Sequence, residues 1–424
     1  MQQTRLAVLT GVLLLLAAFA SRAIASANTE ATPVWLASGV TFSALLLTQR
    51  GWWPGVLTGA AAASGIWGIA AHELTFGPAL VFAAIEVVSI GTAAWIATLG
   101  HHDPESLTGA ALLVAGALVG AALGGILAVE LWRWQRPHLD MFVEWRAWSF
   151  STALGLLLVT PVSLAFRGFR LRRSGGMPMT QFLAGGLAFI VFITCTLLVF
   201  SRPGDAHFAG AAATLAYTPM PVLLITVILW GPCGGTLATL AGALLIIYCT
   251  AHGGGPFAVF EDFPGEAVVE VQGFVMVWAV VFIMGRAMAE ARIAALRHAH
   301  AWQLRYARTL DAVGMISVEY DAHTGRATWG EGARRMFGPV VEKAYSLDEW
   351  LDKVDVGERG LVQAAWTAVA RGDVSGGEHD YGVRLPDGSR VRVHERLASI
   401  RGADGSVEQV VGLLRLADEA TPDV

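Results

Sequence analysis

Charge is what this sequence has least of. Only 15% of its 424 residues are Asp, Glu, Lys or Arg, and its two lysines are Lys343 and Lys353. Soluble domains carry about a quarter charged residues. Long stretches of the first 290 residues have almost no charge, whereas 54% of the chain is hydrophobic and the mean hydropathy is +0.54. A soluble protein of this length is excluded. The formal net charge of −5 is spread too unevenly to argue from, and no nucleic-acid partner is expected.

Cysteine is scarce too. Cys195, Cys233 and Cys249 lie in apolar segments, and none has metal or redox-pair spacing. The polar C-terminal third has no cysteine, which excludes a disulfide framework and flavin photochemistry through a cysteine adduct there. No nucleotide loop, nucleophile elbow, metal cluster or Gly-Gly-Asp-Glu-Phe cyclase signature occurs. His298 and His300 lack the ATP-binding boxes that a phosphoacceptor histidine needs after it. No catalytic activity, metal site or cofactor is therefore expected.

What the chain does have is apolar runs. A spanning helix needs roughly 20 mostly apolar residues. Ten windows qualify: 6–25, 33–48, 52–71, 78–99, 108–129, 146–166, 181–200, 211–230, 235–251 and 268–288. The second and ninth are short, so eight spans is the alternative. With the N-terminus inside, the inner loops hold Arg5, Arg50, Arg167, Arg170, Arg172, Arg173 and Arg286, and the outer loops Arg22, Arg133, Arg136 and Arg202. That bias puts both termini in the cytoplasm. A rival reading makes 6–25 a cleaved signal peptide ending at Ala25-Ser26-Ala27.

Glu86 stands near the middle of 78–99. A carboxylate there costs a few kcal/mol, so it should face the bundle interior. It reads as a ligand contact or protonatable switch, or as an interhelical hydrogen bond. Gly116, Gly120 and Gly124 put small residues on one face, which lets helices pack closely. Trp52, Trp53, Trp132, Trp134, Trp145 and Trp148 cluster at span ends, as an interfacial belt does. The glycine-rich segment from His252 to Phe257, with Glu261, Asp262 and Glu266 after it, reads as a cap over an outward-facing pocket or as a plain connector.

These residues resemble the type-1 membrane-associated sensor (MASE) domain of bacterial receptors. The resemblance rests on Pro33-Val34-Trp35-x-x-Ser38-Gly39, Trp53-Pro54-Gly55, Glu86, Trp145-x-x-Trp148 with Ala153 to Pro161, and Pro219-x-Pro221. It continues in Trp230-Gly231-Pro232, Gly253 to Phe257 and Gln272-x-Phe274. Thr152 stands where the family usually has an acid. The resemblance implies sensing of an unknown ligand, with Glu86, Trp35, Trp148, His252 and Gln272 as the candidate sensing residues.

Residues 286–310 contain no Gly after 285 and no Pro, and Ile293, Leu296, His300, Gln303, Ala307 and Leu310 recur at three and four. A helix is predicted to continue from the last span. Ile293, Leu296 and Leu310 are its relay positions, either as the seam of a homodimeric coiled coil or within a simple spacer. Beyond it, Met315 to Leu416 alternates β and α signals. Strands are predicted near 316–320, 327–329, 378–385, 389–399 and 406–416, helices near 331–337, 350 and 358–371. Pro386-Asp387-Gly388 and Ala403-Asp404-Gly405 mark hairpins, and Ser346-x-x-Glu349 is a capping box.

That order, with Trp329 to Gly338, Ser346 to Trp350 and Arg384 to Arg390, resembles a PAS domain. Val354 to Glu358 and Leu416-Ala417-Asp418 depart from its usual motifs. Its pocket is expected to be filled by its own side chains, with a bound small molecule left open. His323 reads as a turn residue; His379 and His394 lie on strands, with either face open to them.

The expected protein is thus a polytopic α-helical membrane bundle (about ten spans, eight the alternative) plus a C-terminal α+β PAS domain. Its parts are a sensor domain at 1–288, a helical connector at 289–310, the PAS domain at 311–417 and a short tail at 418–424. It reads as an inner-membrane receptor in the lipid bilayer, homodimeric, relaying to a separate cytoplasmic signalling protein. A transporter-like protein with a regulatory PAS domain, or a truncated sensor lacking its kinase or cyclase, is the alternative.

Overall fold

In lipid, every backbone N–H and C=O must find a partner within the protein, so apolar runs become helices. The computed structural model describes residues 2–25, 32–104, 106–135, 140–167, 178–201, 212–258 and 265–417. Arg136, Arg170, Arg172, Arg173, Arg202, Glu261, Asp262 and the tail from Asp418 lie outside the described residues. The chain forms two compact units, 1–292 and 293–424.

The first unit holds α1 (Gln2–Ile24), α2 (Leu36–Leu47), α3 (Trp53–His72), α4 (Phe76–Ala97), α5 (Leu107–Gln135), α6 (Met141–Ala165), α7 (Met179–Phe200), α8 (Ala212–Ala216) and α9 (Pro219–Ala251). The helix α10 (Glu266–Ala312) is one stretch of 47 residues, and the boundary between the units falls within it. Among the described residues, eight helices are long and apolar enough to cross a membrane.

Three windows explain why eight are found where ten were predicted. The window 33–48 holds only the 12 residues of α2, after non-helical chain. The windows 211–230 and 235–251 fall in one stretch, Thr214–Ala251, broken at Gly231 (φ 63°, ψ −160°). Only glycine adopts that backbone readily. A Cβ on Gly235 would sit 3.2 Å from the Cα of Val227. Eight residues of straight helix would separate them by about 12 Å. The chain therefore reverses at Gly231, and α9 is two antiparallel arms joined by a hinge.

Glycines set how closely the helices meet. A Cβ on Gly155 of α6 would collide with the Trp35 carbonyl, and one on Gly39 of α2 with the Gly155 carbonyl. Gly116 and Gly120 bring α5 against Ala93 and Ser89 of α4, as the small-residue face predicted. Trp132 is buried, and Trp148 packs edge-on against Phe82 with centroids 5.4 Å apart. These two belong to the interior rather than to an interfacial belt; Trp134 is exposed.

The second unit is an antiparallel sheet with helices between its second and third strands. It contains β1 (Met315–Asp321), β2 (Ala327–Trp329), α11 (Ala333–Phe337), α12 (Leu347–Leu351), α13 (Arg359–Arg371), β3 (Gly376–Arg384), β4 (Arg390–Arg401) and β5 (Val407–Leu416). The strand order is β2-β1-β5-β4-β3. Val318, Tyr320, Val393, Leu397, Val410 and Leu414 form one buried face, with Phe337, Trp350 and Val362 over it. Both Asp-Gly turns form: Gly388 and Gly405 take φ of 81° and 83°, and Asp387 and Asp404 accept from Ser389 and Ser406. The Ser346 hydroxyl caps α12 by accepting from the Glu349 N–H, while the Glu349 carboxylate takes the Tyr345 N–H. Residues 286–310 are helical throughout, as predicted.

Replacing Gly155 by valine should force α2 and α6 apart. Overpacking of this kind costs about 1–3 kcal/mol, so the thermal midpoint of the detergent-solubilised variant should drop; an unchanged midpoint would contradict the packing described. In the second unit, the Gly382 N–H donates to the Glu358 carboxylate at 2.6 Å and Arg392 donates at 2.9 Å. Those bonds, the Gly382 N–H first, hold the Glu358 carboxyl below its ordinary 4.5. A depressed carboxyl stabilises the fold fully above its unfolded value and loses that contribution as pH falls through its folded value. The stability gap between wild type and Glu358→Gln should therefore be open at neutral pH and close on acidification below 4.5. Denaturant titrations across pH would measure it.

Candidate functional site

Glu86 lies halfway along α4 and is fully buried. Its Oε1 accepts from the Ser38 hydroxyl at 2.8 Å and from the Trp35 indole N–H at 3.1 Å. Its Oε2 has no partner among the described residues. Ser38 is the third residue of α2, so the carboxylate sits beside the positive end of that helix dipole.

The site exists because α2 starts inside the bundle. The first N–H groups of a helix have no partner within it. Here the Trp35 N–H donates to the Ser151 carbonyl at 3.0 Å, and the Leu36 N–H donates to the Ser21 hydroxyl at 2.9 Å. The Pro33 carbonyl accepts from the Gln272 side-chain amide at 2.8 Å. Helices α1, α4, α6 and α10 thus all hold the start of α2. Gln272 is itself buried, and it is on the helix that runs on to Ala312.

Rings flank this centre. Trp35 lies 5.7 Å from Trp67, Trp67 5.3 Å from Phe19, and His72 bridges Phe82 and Trp132 at 5.5 and 5.6 Å. The Trp148 indole N–H is buried with no partner among the described residues. Of the five residues named from the sequence, Trp35 bonds Glu86 directly, and Gln272 bonds the Pro33 carbonyl two residues before Trp35 in the chain. Trp148 joins the same aromatic cluster through Phe82. His252 does not come to the site: its Nδ1 bonds the Tyr248 carbonyl at 2.8 Å at the end of α9, and its ring lies on Tyr248. Ser21 and Ser151 were not singled out from the sequence, and Ser38 entered only within the motif Pro33 to Gly39. Their one signal is that hydroxyls and carbonyls are the available partners for a helix start at membrane depth.

The second unit has a buried carboxylate of its own. Glu395 is 2% exposed, on the inward face of β4. Its Oε2 lies 3.1 Å from His379 Nε2, although neither ring nitrogen of His379 has a hydrogen-bond partner among the described residues. Trp350 donates to the Tyr381 hydroxyl at 3.0 Å. Burial first, and then the Glu395 charge, push the hydroxyls of Tyr320 and Tyr381 well above the ordinary phenol value. A Cβ on Gly412 would come 2.7 Å from Glu395 Oε1, so the glycine leaves the space the carboxylate occupies. His379 therefore faces inward; His394 lies on the other face, bonded to Asp380 at 2.6 Å. Among the described residues, no cluster of metal-ligand type occurs. The inward place of Glu395 was readable, since it shares the period of Val391, Val393 and Leu397.

Comparison with known proteins gives one family. Residues 4–292 match the family model described as MASE1. No curated protein matches the chain. Among solved structures, the N-terminal domain of a diguanylate cyclase with PAS/PAC sensor from Marinobacter aquaeolei is 19% identical, over 24% of this chain and 92% of that one, with a TM-score of 0.22. A sensory box histidine kinase/response regulator from Burkholderia thailandensis E264 is 15% identical, over 27% and 84%, also with a TM-score of 0.22.

Truncating Glu86 to alanine strands two buried donors, each at a cost of about 1–3 kcal/mol. Glu86→Gln keeps an acceptor for both. The alanine variant should melt well below wild type in nanodiscs, the glutamine variant close to it. Equal midpoints for all three would show that Ser38 and Trp35 do not depend on the carboxylate.

Proposed function

Since the chain belongs to the MASE1 family, the membrane sensor input modules of signalling proteins, we propose that it is a receptor that reads its stimulus at the Glu86 centre. One observation carries this reading: the Trp35 indole N–H bonds Glu86, the backbone runs from Trp35 to Pro33, and the Pro33 carbonyl accepts from Gln272 on α10. A ligand or proton that changes what Glu86 accepts would shift the start of α2. Gln272 would then pass that shift to α10.

In this reading the multi-pass bundle lies in the inner membrane with both termini in the cytoplasm. The arginine bias of the sequence supports that orientation. The second unit acts as a PAS-type relay, supported by its strand order and by the helices between β2 and β3. Ile293 and Leu296, exposed on α10, supply apolar contacts for a homodimer. The outer face of β3 and β4 presents ion pairs such as Glu378 with Arg396 to a separate signalling protein, which supplies the catalytic output. The chain itself performs no catalysis.

Two measurements test this. Protease mapping of sealed spheroplasts should leave residues 315–417 protected until the inner membrane is breached; cleavage from outside would end the reading. The full chain, tagged at its C-terminus, should retain a kinase or cyclase from cytoplasmic extract. Solute flux into vesicles that disappears in Glu86→Gln would instead identify a transporter.

A further inference from the structure

Away from Glu86, four elements of the first unit surround a cavity of about 350 Å³. The segment after α4 supplies Asp103, the end of α6 supplies Leu164 and Arg167, the hinge of α9 supplies Cys233, and α10 supplies Arg286 and Glu290. Arg286 is twenty residues beyond Glu266. That distance is about 30 Å of helix, the thickness of a hydrocarbon layer. The cavity therefore lies at the membrane face through which α10 leaves.

Its charges are of both signs. Arg167 and Glu290 take part in no ion pair among the described residues, although both line the same space. A guanidinium is left open to an oxyanion, and a carboxylate is left open to a cation. A simple phosphate would meet the repulsion of Asp103 and Glu290, and a simple amine that of Arg167 and Arg286. A molecule carrying both signs satisfies the set. Guanidinium suits phosphate oxygens in particular, and charge-assisted bonds are the strong ones.

We propose that this cavity binds a zwitterion carrying a phosphate and an ammonium group, as in the headgroup of an ethanolamine phospholipid, with the phosphate on Arg167 and the ammonium on Glu290. A headgroup held there ties the end of α6 to α10 where α10 leaves the bundle, and so restrains the helix that carries the signal. The same chemistry reaches the site from the bilayer or, as free phosphoethanolamine, from solution. Leu164 beside the charges favours the bilayer.

The full chain is reconstituted in nanodiscs of equal ethanolamine, glycerol and choline phospholipids and weighed by native mass spectrometry. The ethanolamine lipid should be retained above its share of the bilayer. Arg167→Gln and Glu290→Gln should each reduce that retention roughly tenfold, whereas Arg5→Gln, remote from the cavity, should not. Because such variants can fail to fold, a second measurement uses the unaltered protein, stripped of lipid in detergent. Phosphoethanolamine should slow maleimide labelling of Cys233, mapped by peptide mass, while phosphate or ethylamine alone at the same concentration should not. Free phosphoethanolamine displacing the retained lipid would place the source in solution and leave the site intact. Lipids retained in proportion to the bilayer, or phosphate protecting Cys233 equally well, would overturn the proposal.

Discussion

A helix that begins inside a membrane leaves its first amide groups without partners, and lipid offers none. Each such group costs several kcal/mol if unmet. The start of α2 is this protein's instance of that constraint. Its amides and the Pro33 carbonyl are met by Ser21, Ser151 and Gln272, and its dipole by Glu86. Four other helices are thereby tied to one point. The glycines at 39 and 155 are needed because the Trp35 carbonyl and the α6 backbone must approach closely there. In the proposed reading, a change at Glu86 reaches the helix that leaves the bundle with no long chain of intermediates.

The two units solve the same electrostatic problem in the same way. Each buries one glutamate, and neither uses lysine or arginine against it. Glu86 is held by a serine and an indole, and Glu395 lies 3.1 Å from a histidine ring. A hydroxyl and an indole stabilise the Glu86 carboxylate without fixing it as strongly as a guanidinium does, and each carboxylate keeps one oxygen without a partner among the described residues. Such a group responds to a new donor or a new charge. A fully paired ion bridge would resist it.

Much of this was legible in the sequence, because burial in lipid and in a sheet leaves strong patterns. Each apolar window holds a helix, 33–48 only in part, and the alternating runs with Asp-Gly between them became the meander β3 to β5. Glu86 was visible as a charge in an apolar run, and Trp35 and Gln272 through the family resemblance. The non-helical entry of α2 was not, because hydropathy counts apolar residues and is blind to whether the backbone is coiled. The hinge at Gly231 was quoted as a motif, yet its reversal comes from a backbone conformation that no composition encodes. The role of the Ser21 hydroxyl was hidden for a related reason. Hydroxyls in apolar helices usually bond back along their own helix, as Ser43 does to the Gly39 carbonyl. Trp148 looked interfacial because it stands near a helix end, but its neighbours across α4 enclose it.

The central claim is that Glu86 and Gln272 act through one another without touching. A double-mutant cycle tests this most directly. Amide exchange across residues 293–312 is measured in wild type, Glu86→Gln, Gln272→Leu and the double variant, each in nanodiscs. If Pro33 and Trp35 connect the two sites, the effect of the glutamate change on exchange should shrink or vanish once Gln272 is lost. Strictly additive effects would mean that the two residues report to α10 independently, and the path through the start of α2 would be wrong.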